Sequence, residues 1–172
     1  SILLVSRNPK FEVRIRAMFH WAPYGHALFL VAIILTACSS YREPFGESDL
    51  KCLDCPLVEV TRIIDGDTFD STTGTVRLFW VDTPEHGQRC YQKATLPLRK
   101  LAGTVVRVHR GSRNVDSYGR LLYYVYTPSG ASIDEALIRG GLGKAWRQDG
   151  QHRDYLYQQE LIAKTRGIGC LW

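Results

Sequence analysis

The chain has 172 residues, 45% hydrophobic and 23% charged, with 22 Lys+Arg against 17 Asp+Glu for a net charge of +5. A chain this apolar can offset its ordering entropy, which excludes intrinsic disorder, and its length suits one globular domain of about 100–200 residues. Collagen-like and coiled-coil compositions are excluded as well.

The first third reads as targeting. Residues 27–37, ALFLVAIILTA, form an apolar run without a charge. A membrane-spanning helix needs roughly 20 such residues, whereas a signal-peptide core needs about 7–15. Arg7, Lys10, Arg14 and Arg16 precede the run, and Leu35-Thr36-Ala37-Cys38 ends it. That ending resembles the lipobox of bacterial lipoproteins. The resemblance implies cleavage before Cys38, a lipid on its sulfur, and attachment to a bacterial membrane, the outer one where there is one. A buried helix followed by an ordinary cysteine is the alternative. Met18 is the sole methionine, so a start there would leave residues 1–17 untranslated. Residues 1–37 also carry most of the positive excess, and the remainder has a net charge of about +2. Any case for nucleic acid therefore rests on where the arginines sit.

Residues 38–56, with Pro44, Gly46 and Ser48 among alternating charges, read as a lipidated polar tether. Beyond Cys38 stand Cys52, Cys55, Cys90 and Cys170. In an exported protein an even number favours two disulfides, and spacing leaves the pairing open. Cys52-Leu-Asp-Cys55 also suits half a zinc site, and free thiols are the third reading.

Residues 57–64 are rich in β-formers, and Asp65-Gly66 is a turn signal with a second strand at 68–71 behind it. Gly74 precedes a third strand over 75–81. Residues 88–102 have helical character, with Pro97 required to kink the helix or to mark a new first turn after Thr95. Strands at 103–109 and 120–127 flank a polar loop. Ser132 and Glu135 give the capping-box pattern of a helix over 132–139, which Gly140-Gly141 ends. A last helix over 152–166 is expected to bury Leu156, Ile162 and Tyr155. Short strands with one inserted helix argue against a doubly wound sheet. They favour a mainly β (α+β) domain over 57–172: an OB-type five-stranded barrel with about three helices outside, a fold that takes oligonucleotides or oligosaccharides.

Three clusters carry chemistry. Asp65-Gly66-Asp67-Thr68 presents two carboxylates at a strand end, as hard divalent cations require, although hairpin turns use the same residues. In Arg77-Leu-Phe-Trp-Val-Asp82-Thr83-Pro84-Glu85, Asp82 offers another carboxylate and Pro84 fixes Thr83 in an extended conformation. Glu85 stands where it can take a proton from water. Arg77 and Asp82 fall on opposite faces of an uninterrupted strand, so the strand must end or bend near Val81 for both to reach one site. Asp116-Ser117-Tyr118-Gly119-Arg120 places an arginine at a strand start, where its planar fork suits phosphate.

In this order on these strands, the clusters resemble the staphylococcal nuclease family, over residues 57–172 and including Asp134-Glu135-Ala136-Leu137. The resemblance implies an OB-fold barrel and calcium-dependent hydrolysis of DNA and RNA to 3′-phosphorylated products by a monomer. It implies that Asp67, Asp82 and the Thr83 backbone oxygen hold Ca2+, with Asp65 close by. Arg77 and Arg120 hold the attacked phosphate, Glu85 orients or deprotonates water, and Tyr118 contacts a nucleotide. His86, next to Glu85, is a competing base. The family's tyrosine pair is replaced by Trp146-Arg147-Gln148, the residue before Tyr118 is Ser117 instead of a basic one, and the stretch after Glu85 is short. A non-catalytic OB-fold lipoprotein that binds nucleic acid or protein is the alternative.

Overall fold

The computed structural model describes residues 47–172. The expected signal segment and the lipid site at Cys38 lie outside the described residues. In chain order the elements are β1 (Leu57–Ile63), β2 (Thr68–Ser71), β3 (Gly74–Leu78), β4 (Val81–Asp82), α1 (Tyr91–Ala102), β5 (Val105–Val115), β6 (Leu121–Tyr126), α2 (Ile133–Arg139), β7 (Lys144–Ala145) and α3 (Arg153–Thr165). Five strands close a barrel in the order β1-β2-β3-β6-β5. β3 and β6 run parallel, and the other barrel pairs are antiparallel. Five strands and three helices make the mixed OB-type barrel expected from the sequence.

The barrel core contains Phe69, Val76, Leu78, Val106, Leu122 and Val125, all buried. β6 is buried on both faces because α2 packs against it. On α1 the buried Ala94, Leu98 and Ala102 recur at intervals of four, one stripe of the helix. That helix runs through Pro97, so no new first turn opens after Thr95.

β3 ends at Leu78, and the short β4 leaves the barrel to pair with β7. The chain turns at Phe79-Trp80, earlier than the bend expected near Val81. Trp80 is wholly buried and stacks on Tyr124, with ring centroids 3.8 Å apart. A buried carboxylate fixes the turn: Asp134, in the first turn of α2, accepts the Trp80 backbone N–H at 3.1 Å and that of Val125 at 3.0 Å.

Four expectations need correction. Ser132 caps α2 by accepting the Glu135 N–H at 3.2 Å, but Glu135 does not complete the reciprocal box. Its buried carboxylate accepts instead from Ser48 Oγ at 2.6 Å, Leu50 N at 2.9 Å and Tyr155 OH at 2.7 Å, while Ser48 Oγ accepts the Ser132 N–H. Residues 48–50, read as tether, are thus strapped to α2, and the folded domain begins before Leu57. In α3, Ile162 is 42% exposed; Leu156, Glu160 and Ala163 form the buried side. β5 extends through the stretch read as a loop, to Val115, with an irregular register beyond Arg110.

Burial pushes Asp134 up to about 7, against the pull of the Val125 and Trp80 N–H groups. The folded value lies above the ordinary 3.8, so the stabilising contribution is complete below that value and is lost as pH rises through about 7. Asp134→Asn leaves one of the two N–H groups without an acceptor, costing about 1–3 kcal/mol at pH 5. Urea unfolding from pH 5 to 8 should show stability falling by about 3 kcal/mol more in the wild type than in the variant. Parallel profiles would refute the assignment.

Candidate functional site

The turn between β1 and β2 brings the first cluster to the barrel mouth. Asp65 Oδ1 accepts the Asp67 N–H at 3.0 Å. Gly66 is needed for close approach: a Cβ there would lie 2.6 Å from Thr83 Oγ1 and 2.8 Å from Ala94 Cβ. Asp67 is 1% exposed. Its Oδ1 accepts from Arg77 Nη1 at 2.6 Å and Thr68 Oγ1 at 2.9 Å; its Oδ2 accepts from Thr83 N at 2.7 Å and Thr83 Oγ1 at 3.0 Å. Burial pushes its carboxyl up to about 6, with Arg77 opposing and Asp65 reinforcing the shift.

Because the chain turns after Leu78, Arg77 and Asp82 meet. Arg77 Nη2 donates to Asp82 Oδ1 at 2.6 Å, so one guanidinium spans the carboxylates of Asp67 and Asp82. Burial would weaken the Arg77 charge, but Asp67 and Asp82 outweigh it and raise the pKa further. The oxygens of Asp67, Asp82 and Thr83 are hard donors, and two carboxylates that already share one cationic group suit calcium. Among the described residues no group of three or more His, Cys, Asp or Glu side chains is placed to hold a metal ion. Water would have to complete the six to eight oxygens that calcium takes.

Arg120 is held by a residue to which the sequence reading gave no role. Asp116 Oδ2 accepts from Arg120 Nε at 2.7 Å, and Asp116 Oδ1 accepts the backbone N–H groups of Tyr118 and Arg120 at 2.9 and 3.0 Å. Burial pushes the Asp116 carboxyl up, yet the bonds from Arg120 and Tyr118 win and its pKa is lowered. The Asp-x-x-Gly turn was visible in the sequence, but its grip on the guanidinium was not. Tyr118 is 83% exposed, and the Arg120 guanidinium carbon lies 5.4 Å from its ring centre.

Arg77, Glu85, Tyr118 and Arg120 line one cleft of 340 Å³ together with Arg113 and Trp146. Asp67 and Asp82 stand one hydrogen bond behind it, through Arg77. His86 lines a different cleft with Cys90 and Cys170 and packs edge-on against Tyr91. It does not compete with Glu85 for the first cleft.

The Glu85 backbone is fastened at both ends. Its N–H donates to Gln88 Oε1 at 2.9 Å, and its C=O accepts the Gln88 N–H at 2.9 Å. Two residues on, Cys90 caps α1 at φ 76°, a left-handed conformation that costs a non-glycine residue roughly 1–2 kcal/mol. A disulfide ties Cys90 to Cys170, and Arg89 Nη2 donates to the Cys170 C=O at 2.6 Å. The other pair is Cys52–Cys55, so the zinc and free-thiol readings fall.

Residues 75–172 match the family described as Staphylococcal nuclease homologue. The micrococcal nuclease of Shigella flexneri is 34% identical over 129 residues, 66% of this chain and 72% of that protein. An uncharacterized endonuclease of Escherichia coli O157:H7 is 35% identical over 117 residues, 63% of this chain and 74% of that one. The thermonuclease of Staphylococcus hyicus is 29% identical over 155 residues, 81% of this chain and 91% of that protein. The chain belongs to the staphylococcal nuclease homologue family.

The two disulfides close loops of very different size, with sequence separations of 80 and 3. Loop-closure entropy gives about 4–5 kcal/mol for the long one and about 2 kcal/mol for the short one. Replacing Cys90 and Cys170 by Ser should therefore lower the free energy of unfolding roughly twice as much as replacing Cys52 and Cys55. Equal losses in urea unfolding would contradict the pairing.

Proposed function

We propose that this staphylococcal nuclease homologue is a calcium-dependent nuclease that hydrolyses DNA and RNA with little sequence preference and leaves 3′-phosphates. The observation that carries the reading is the convergence of Arg77, Arg120 and Glu85 on one cleft, with Asp67 and Asp82 directly behind. Curated relatives named as nucleases and endonucleases support the same chemistry.

In this reading Asp67, Asp82 and the Thr83 carbonyl would hold calcium, which would supply positive charge against the phosphate. With those carboxylates satisfied, Arg77 can turn its two terminal nitrogens toward the phosphate. Arg120, gripped through Nε by Asp116, keeps its terminal nitrogens for a second oxygen. Glu85, exposed at the cleft, accepts a proton from water. The water oxygen bonds to phosphorus, the bond to the 5′-oxygen breaks, and that oxygen is protonated from the open cleft. Charge grows on the equatorial oxygens during attack, so fixed guanidiniums stabilise the transition state more than the ground state. Low sequence preference follows from contacts to phosphate instead of base edges. All of these groups come from one chain, which fits a monomer.

Export fits the same protein. Two disulfides among the described residues suit an oxidising compartment, and we take Cys38 as the lipid anchor to a bacterial membrane.

Plasmid and single-stranded DNA should be digested by the purified protein with calcium and spared when chelator is added. Glu85→Gln should slow digestion by about 10²–10⁴. No digestion by folded protein would remove the enzyme reading, and nucleotide binding without turnover would favour a non-catalytic binding module. Digestion unchanged by chelator or by Glu85→Gln would overturn the assigned mechanism.

A further inference from the structure

The cleft holds a third guanidinium that hydrolysis leaves unused. Arg113, on the irregular part of β5, donates through Nε to Asp149 Oδ2 at 2.7 Å and through Nη2 to Asp149 Oδ1 at 3.2 Å. Asp149 Oδ1 also accepts from Trp146 Nε1 at 2.8 Å. The guanidinium carbon lies 5.3 Å from the Phe79 ring centre and 5.9 Å from that of Trp146. One carboxylate therefore sets a charged plane and an aromatic face side by side in the cleft wall. Nη1 of Arg113 has no hydrogen bond among the described residues.

The arrangement has little structural purpose of its own. The Arg113–Asp149 pair is open to water, with side chains 45% and 34% exposed, and exposed ion pairs contribute little to stability. Arg77 and Arg120, by contrast, are each engaged by carboxylates belonging to the hydrolytic centre. A fixed, weakly committed guanidinium next to such a centre suits an anion that arrives with the substrate. In a polynucleotide the nearest such anion is the phosphate adjoining the one cleaved.

We propose that Arg113, positioned by Asp149 and Trp146, binds the phosphate neighbouring the scissile one. The subsite rests on the hydrolytic reading above and adds substrate length to it: the cleft favours a chain carrying at least two consecutive phosphates over one with a single phosphodiester. Phe79 and Trp146 hold the guanidinium plane from its apolar side, while Nη1 meets the phosphate oxygen.

The test compares a single-stranded DNA decamer with the dinucleotide TpT, which has one phosphodiester and no neighbouring phosphate. For Arg113→Gln the ratio of kcat/KM between decamer and TpT should fall about tenfold, with the loss in KM, and the salt slope of log KM for the decamer should fall by about 0.7. Arg113→Lys keeps the charge and should recover most of that slope. Decamer binding measured by fluorescence anisotropy with chelator present should weaken in parallel for Arg113→Gln, a readout that needs no turnover. A ratio and a binding constant both equal to wild type would overturn the subsite. Decamer binding lost through Arg113→Gln in a protein that cleaves neither substrate would keep the subsite and overturn the hydrolytic reading.

Discussion

The site depends on the turn that follows Leu78. A continuous strand would send Arg77 and Asp82 to opposite faces and part the guanidinium from that carboxylate. The turn is held by Asp134, which reaches from α2 to the Trp80 N–H while its other oxygen takes the Val125 N–H of β6. Trp80 then fills the space beneath, stacked on Tyr124. Downstream, the chain leaves as β4 and pairs with β7. Asp82 and Thr83 are thereby carried back over Asp67, whose Oδ2 closes the connection at Thr83. A buried helical carboxylate outside the cleft thus sets how Arg77, Asp82 and Thr83 meet Asp67.

Two further helical acids are used in the same manner. Glu135 straps residues 48–50, and Glu160, 3% exposed, accepts the Ala145 N–H of β7 at 2.9 Å while also taking Arg147. Burying a carboxylate is costly unless donors surround it, and here backbone N–H groups of irregular segments supply them. The two arginines proposed to bind the phosphate are each aimed by carboxylates, Asp67 and Asp82 for Arg77 and Asp116 for Arg120.

Much of the architecture could be read from the sequence because alternation, turn glycines and the Ser132 cap act locally. The clusters were legible for the same reason, each lying within one turn or strand end. What stayed hidden depended on tertiary partners. Glu135 has the spacing of a capping box, but Ser48 and Leu50, far away in sequence, draw its carboxylate off. Ile162 has the spacing of a core residue on a polar helix, yet Ala163 and Glu160 face inward because β7 needs an acceptor. Gly66 read as a turn former, whereas Thr83 and Ala94 leave its Cβ no room. The cysteine pairing and the Asp116 grip on Arg120 likewise required knowing which segments meet.

The central claim is that two aimed guanidiniums in one cleft drive phosphodiester hydrolysis. Of the two, Arg120 is the cleaner probe, because Arg77 also holds Asp67 and Asp82 together. The direct measurement is kcat for Arg120→Ala on single-stranded DNA at saturating calcium, in protein shown by near-ultraviolet circular dichroism to keep its aromatic packing. The account predicts a fall of about 10²–10³. A rate within a few-fold of wild type would contradict it.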